Sequence, residues 1–377
     1  MKLAFAIVLV VHGLIHALGV VKAFGQAPLA QLTLPISRPL GLLWLAALVA
    51  TLSTAVALYA WPRGWWIVGA VALVASQAAI VSSWADAKYG TAANALLLLA
   101  VAWGFLSLGP LSLRAEYERE VARALARSTP QALVSEQDLA PLPSTVQRYL
   151  RHTGVVGRPR VQSIRVRFSG RIRRGPSEPW MPLRAEQYSF SDQPTRLFFM
   201  QARMSGLPVE ALHAYVDQQA SMRVEIVSLV RIVNARGPQF TAAETVTLFN
   251  DMCVMAPATL IDPNIRWEPV DQHGAVGADA THVRATFTAA GHTIAATLVF
   301  DEQARLVDFF SDDRPALAAD GVTFVHQRWS TPLSAYRLFG PHRLASHGEA
   351  VNHAAQGAYA YGEFTMESIE YNVRASN

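Results

Sequence analysis

Apolar residues fill the first hundred positions of the chain almost without a break. Four runs, at 3–24, 36–61, 65–84 and 92–108, each come close to the roughly 20 residues a helix needs to cross a hydrocarbon core. Polar or turn-forming clusters punctuate them: Gln26-Ala27-Pro28, Trp61-Pro62-Arg63-Gly64, Asp86-Ala87-Lys88-Tyr89-Gly90 and Gly109-Pro110. The pattern predicts four transmembrane helices within residues 1–110. The first run is expected to be a span and not a cleaved signal. It outlasts the usual core of about 7–15 residues, and no small-x-small site closes it.

Beyond residue 110 the pattern changes. Residues 111–127 predict an amphipathic helix, with Glu116, Glu120, Arg119 and Arg123 at i,i+4 spacing on a solvated face, inside a helical linker over 111–140. A short helix follows Pro143, with Val146, Tyr149 and Leu150 as its apolar side. The period then drops to two. In 161–174, Ile164, Val166, Phe168 and Ile172 share one face, and Arg165, Arg167, Arg171 and Arg173 the other. Further strands are expected at 183–190, 196–202, 209–215, 222–232, 265–270, 282–289, 293–300, 306–310, 321–329, 358–361 and 364–373, with a turn at Asp320-Gly321. One helix interrupts them over 241–256. Thr241-Ala242-Ala243-Glu244 reads as its capping box. Phe249 and Met252 point inward, and Glu244, Thr247, Asn250 and Asp251 fall on the polar side. The predicted fold is four transmembrane helices followed by an antiparallel β-rich domain over 141–377, a curved sheet or half-barrel with packed helices.

Charge sharpens this division. The formal net charge of +4 suggests an anionic partner until it is located. Residues 1–113 hold five basic groups and one acid, whereas 114–377 hold 27 arginines, no lysine and 27 acids. The second part is neutral overall, so nucleic acid is not an expected partner. Lys2, Arg63, Arg114, Arg119, Arg123 and Arg127 flank one side of the four spans, and Lys22, Arg38 and Lys88 the other. This bias predicts termini and β-domain on the cytoplasmic side of a bacterial inner membrane. A single cysteine, Cys253, excludes an internal disulfide and a Cys-rich zinc site.

Several stretches resemble an uncharacterised bacterial family of unknown function: HGLIHALGVVKAF, LPSTVQRYLRHTG, AEQYSF, ETVTLFNDMCVMAPATLIDPNIRW, RWSTPLSAY and GEFTMESIEYNV. In that family a soluble domain stands alone or behind a helical membrane anchor. The resemblance implies a curved antiparallel sheet like that of lipoprotein-carrier domains, with helices on its concave side. It implies no activity. The anchor resembles the small DoxX-like membrane proteins in layout only.

Candidate chemistry is sparse. His12 and His16 share one face of the first span, suited either to interhelical hydrogen bonds, with Gly13 and Gly19 allowing close approach, or to a metal ion or proton. His342, His347, Glu349 and His353 cluster without HExxH spacing, in a stretch that reads as loop. Asp312, Asp313 and Arg314 read as a turn with a surface ion pair, or else as part of a site. Arg165, Arg167, Arg171 and Arg173 make either a solvated face or a basic stripe for anionic headgroups. Trp180, Trp267, Trp329 and Tyr336 are core aromatics or the lining of an apolar cavity, with Glu186, Glu244 and Asp251 as its polar groups. No nucleotide-binding glycine loop, GxSxG or HExxH motif occurs, and no cofactor is expected. The leading expectation is a membrane-anchored domain that binds a lipid or other apolar ligand beside the bilayer. The alternatives are a membrane-associated enzyme using carboxylates of the 241–256 helix, and a scaffold or sensor that binds a protein.

Overall fold

The computed structural model describes residues 2–27, 29, 32–127, 129, 131–268, 280–318 and 323–375. The chain divides into two compact units, Met1–Glu116 and Tyr117–Asn377.

The first unit is helical: α1 (Lys2–Ala23), α2 (Arg38–Ala60), α3 (Trp65–Ser82), the single turn α4 (Trp84–Ala87) and α5 (Gly90–Leu108). Among the described residues four helices are long and apolar enough to cross a membrane. Their outer faces are apolar: Leu3, Val74 and Leu99 are 68%, 71% and 69% exposed. Such a surface suits lipid and not water. The inside of the bundle combines apolar side chains such as Leu9, Trp44, Trp65 and Leu97 with small and polar ones. A Cβ on Gly19 would fall 2.1 Å from the Trp44 ring, so only glycine lets α1 approach α2 there. His12 Nε2 lies 3.0 Å from both Ser76 Oγ and Asn94 Oδ1, and His16 Nε2 lies 2.9 Å from the same Ser76 oxygen. Ser76 Oγ donates to Asn94 Oδ1, and Asn94 Nδ2 donates to Gln77 Oε1. The two histidines therefore tie α1 to α3 and α5.

α6 (Leu113–Leu125) spans the boundary between the units. From Tyr117 on it belongs to the second unit, where Tyr117 lies against Phe199 and Tyr188. Two short helices follow, α7 (Glu136–Leu139) and α8 (Ser144–Thr153). Six strands then form a meander: β1 (Ser163–Ile172), β2 (Met181–Phe190), β3 (Thr195–Met204), β4 (Leu207–Val216), β5 (Gln219–Ile226) and β6 (Val230–Arg236). Next come α9 (Pro238–Met255), a 3-10 turn (Pro257–Ile261), β7 (Ile265–Trp267), β8 (Thr281–Ala289), β9 (His292–Phe300) and β10 (Leu306–Ser311). β11 (Ala316–Leu317) pairs only with β12 (Phe324–Val325). The chain closes with β13 (Arg328–Ser330), β14 (Leu333–Phe339), β15 (His342–Ala354) and β16 (Gly357–Tyr371).

Among the described residues one antiparallel sheet runs β6-β5-β4-β3-β2-β1-β16-β15-β13-β10-β9-β8-β7, with β14 also beside β15. α9 touches β5 and β6 near one end of that order and β8, β9 and β10 near the other. A sheet that reaches both sides of one helix must curl around it. Phe249 is the helix's anchor, fully buried, stacked 5.3 Å from Phe287 and edge-on to Phe309. Met252 is only half-buried.

Several expectations need correction. The run 222–232 is not one strand, because Val227 and Ser228 take φ of 56° and 55° and fold the chain into the β5–β6 hairpin. The stretch around His347 is not loop but the long strand β15. The expected strands 358–361 and 364–373 are one strand, β16, continuous through Gly362 and ending at Tyr371. α9 starts at Gly237 and not at a Thr241 capping box. Thr241 Oγ1 instead donates to the Gly237 carbonyl and accepts the Ala220 N–H. Parts of the expected strands 265–270 and 321–329, and the Asp320-Gly321 turn, lie outside the described residues.

Candidate functional site

The site is built on the polar side of α9. Glu244, Thr247, Asn250 and Asp251 are all buried. They do not meet water. They form one wall of a cavity of about 190 Å³ between the helix and the concave face of the sheet. Strand alternation supplies the opposite wall. On β3, Arg196, Phe198 and Met200 share the concave face, and β1 and β16 add Phe168 and Phe364. Phe168, Phe198 and Phe364 form a triangle with ring centroids 6.2–6.3 Å apart. Trp329 and Leu333 line the cavity from β13 and β14. Gly362 is required beside this triangle, since a Cβ there would come within 2.7 Å of the Phe364 ring.

Four charged side chains meet at the helix wall. Arg196 Nε donates to Asp251 Oδ2 at 2.6 Å, and its Nη1 reaches Glu244 Oε2 at 3.5 Å. Arg314 Nη2 reaches Glu244 Oε1 at 3.4 Å, and its Nε donates to Thr247 Oγ1 at 2.9 Å. Gln187 Nε2 donates to the same Asp251 oxygen at 2.7 Å. Asn250 Nδ2 donates to Thr331 Oγ1 at 2.7 Å. Both guanidiniums also lie over aromatic faces, Arg314 4.5 Å from the Trp329 centroid and Arg196 5.2 Å from Phe198. Two cations and two anions balance within the cluster, which is how buried charge is tolerated.

The two carboxyls differ. Burial pushes Glu244 up, but His213, Arg314 and Arg196 together outweigh it and hold the group down at about 2. Asp251 is pushed up by burial and by the charge of Glu244, against the pull of Arg196 and Gln187. At neutral pH Glu244 is a saturated carboxylate with little basicity. That is a poor arrangement for general acid–base chemistry, which wants a group that titrates near the working pH. Cys253 is fully buried on the core side of α9, and burial pushes its thiol well up, away from nucleophilic reactivity.

The model of a family of unknown function, DUF6544, matches residues 132–364. This chain belongs to the DUF6544 family. The match takes in α9 and nearly all of the cavity wall. No curated protein matches the chain. Among solved structures, the chain is similar to a LolA superfamily protein from Nitrosomonas europaea, at 10% identity and a TM-score of 0.36 over 62% of this chain and 96% of that one. It is also similar to a DUF1329 family protein from Desulfovibrio piger, at 12% identity and a TM-score of 0.33 over 62% and 94%.

Of the side chains expected to line a cavity in this DUF6544 chain, Glu244, Asp251 and Trp329 do so. Four do not line it. Trp180 lies beneath two guanidiniums, with Arg171 and Arg173 at 4.6 and 4.4 Å from the ring. Glu186 faces the opposite side of the sheet, bonded to Arg165 at 2.8 Å and to Tyr117 at 3.1 Å. Trp267 packs against the core from β7. Tyr336 donates its hydroxyl to the Leu306 carbonyl. The arginine stripe is largely neutralised by its neighbours: Arg165 and Arg167 pair with Glu186, Arg171 pairs with Glu363, and Arg173 donates to the Ala360 carbonyl. Asp312 pairs with Arg328 at the surface, but Arg314 turns inward to Glu244. His353 lies 2.8 Å from Ser330 Oγ and His347 3.3 Å from Thr365 Oγ1. Among the described residues no group of three or more metal-ligating side chains stands together. Arg196, Gln187 and His213 were not foreseen, and Arg314 was noticed only as part of a turn. Of the unforeseen three, Arg196 alone left a trace, one cation inside the apolar strand TRLFFM.

Proposed function

We propose that this chain is a multi-pass membrane protein whose β-domain binds an amphiphile. The apolar part occupies the cavity beside Phe168, Phe198 and Phe364, and the polar end lies at the Arg196–Glu244–Asp251–Arg314 cluster. The observation that carries this reading is the cavity itself: a largely apolar lining around Phe168, Phe198, Met200 and Phe364, with polar groups converging from α9 and with His347 and Glu349 on β15. Its size bounds the ligand. At about 190 Å³ it exceeds the ~150 Å³ cavities that accept benzene. It is smaller than the ~300 Å³ pockets that bury a drug-sized molecule. A ring or a length of acyl chain fits, and a whole phospholipid does not. The polar end must be one that a charge-balanced cluster tolerates, such as a hydroxyl, an amide or a protonated acid. The Lys/Arg bias around the spans supports a cytoplasmic β-domain.

The test is photolabelling of the full chain in membranes with a fatty acid that carries a diazirine on its chain. Peptides containing Phe198, Met200 or Phe364 should be labelled. Met200→Trp, which fills the cavity, should remove that labelling and leave any labelling of the spans. Labelling confined to residues 1–110 would contradict the proposal.

A further inference from the structure

Two adjacent hairpin turns end in exposed aliphatic side chains. Leu207 opens β4 after the β3–β4 turn, Leu229 closes the β5–β6 turn, and Val230 and Ile232 follow it at the start of β6; they are 49%, 60%, 59% and 41% exposed. The turns touch, since the Val227 N–H donates to the Pro208 carbonyl at 2.8 Å. The other end of β4 turns through the polar pair Asp217-Gln218. The backbone of the apolar end is also unusual. The Leu229 N–H closes on the Ile226 carbonyl, with Val227 and Ser228 both in the left-handed region, a turn that favours Asn-Gly. A β-branched valine there is a genuine outlier, and strain of this kind is retained where a role requires it.

The tips connect to the cavity. Register places Ala202, Val209 and Ile226 side by side on the concave face, and Met200, Ala211 and Val224 in the next row. Met200 and Phe198 already line the cavity. An unbroken apolar ladder thus runs from the exposed turns to the binding space.

We propose that the β3–β4 and β5–β6 turns insert into a lipid bilayer and that amphiphiles pass between bilayer and cavity along this ladder. Three observations favour lipid as the occupant. The exposed side chains are aliphatic and sit on protruding turns, whereas protein interfaces centre on aromatic and arginine anchors. Arg203 stands next to the β3–β4 tip and Arg231 next to the β5–β6 tip, where it pairs with Glu225 at 2.9 Å, so cations edge the apolar tips as they would at headgroup level. The same chain carries four helices able to span a bilayer. The transfer step rests on the cavity reading above; the insertion step does not.

The experiment uses the full chain in vesicles of equal parts phosphatidylcholine and phosphatidylglycerol. An environment-sensitive nitrobenzoxadiazole dye is attached at Leu229→Cys or, for reference, at Gln218→Cys. The native Cys253 is buried and does not compete for label. The dye at 229 should emit blue-shifted and be quenched by nitroxide-bearing lipid, and the dye at 218 should emit as in water. Water-like emission at 229 overturns the proposal, and so does a shielded dye that lipid nitroxide cannot quench, which would mean a protein occupant. Leu229→Asp with Val230→Asp should slow cavity photolabelling from vesicle-borne diazirine fatty acid by roughly tenfold or more. Labelling by the same probe added in detergent should be unchanged. Loss of labelling by both routes in the wild-type chain would fail the cavity reading alone.

Discussion

Replacing Arg196 with methionine probes the buried cluster most sharply. Methionine keeps much of the stem's volume and removes the charge. Asp251 then loses its 2.6 Å partner and keeps only Gln187, while Glu244 retains Arg314. Breaking a buried pair from one side costs about 3–5 kcal/mol, because the remaining charge is stranded. For a domain of this size each kcal/mol moves the midpoint by about 2–4 °C, so the loss should be roughly 6–20 °C. The assay is a thermal melt of the full chain in detergent, followed by the infrared sheet band to isolate the β-domain. Adding Asp251→Asn to Arg196→Met should recover at least half of the loss, since removing both partners strands nothing. The pH dependence has a definite sign. The Asp251 carboxyl is held above its ordinary value, so its share of stability is present at low pH and is lost as pH rises through its folded value. Without Arg196 that effect grows, and Arg196→Met should be less damaging at pH 5 than at pH 8. A midpoint shift below about 2 °C, or a double variant no better than the single one, would refute this account of the cluster.

Glu244→Gln should flatten the acid limb of the stability curve. The carboxyl falls from 4.5 to about 2 on folding, so it contributes about 3 kcal/mol that is present above pH 4.5 and lost as pH falls towards 2, readable in acid titrations of the same infrared band. Gly170→Ala should cost about 3 kcal/mol or more, because the new Cβ would sit 2.1 Å from the Glu363 carbonyl oxygen and force β1 from β16; hydrogen exchange of those strands would report it. Ser76→Ala should loosen the helical unit by about 1–2 kcal/mol in detergent unfolding, since one hydroxyl serves His12, His16 and Asn94.

Much of the architecture was legible because it rests on period and length. Four apolar runs long enough to span a bilayer leave few alternatives. The 161–174 alternation locates β1 and predicts correctly which face holds Phe168. What failed to show was local chemistry overruled by tertiary context. Val227-Ser228 is not a turn sequence, so β5 and β6 read as one strand. β15 carries histidines at 342, 347 and 353, whose polarity masked a strand held by ladders on both sides. The polar side of α9 was legible from its periodicity, but the groups it meets were not. Here that face meets Arg196 from β3 and Arg314 from beyond β10, partners 48 and 70 residues from Glu244 along the chain. Only the closed fold brings them together.

The central claim, an occupied amphiphile cavity, is met most directly by native mass spectrometry of the full chain released from its own membranes, beside the Met200→Trp variant. Lipids around the spans will appear in both. The account predicts one additional class of amphiphile, at one per chain, present in the wild type and absent from the variant. Identical lipid profiles for the two proteins would contradict it.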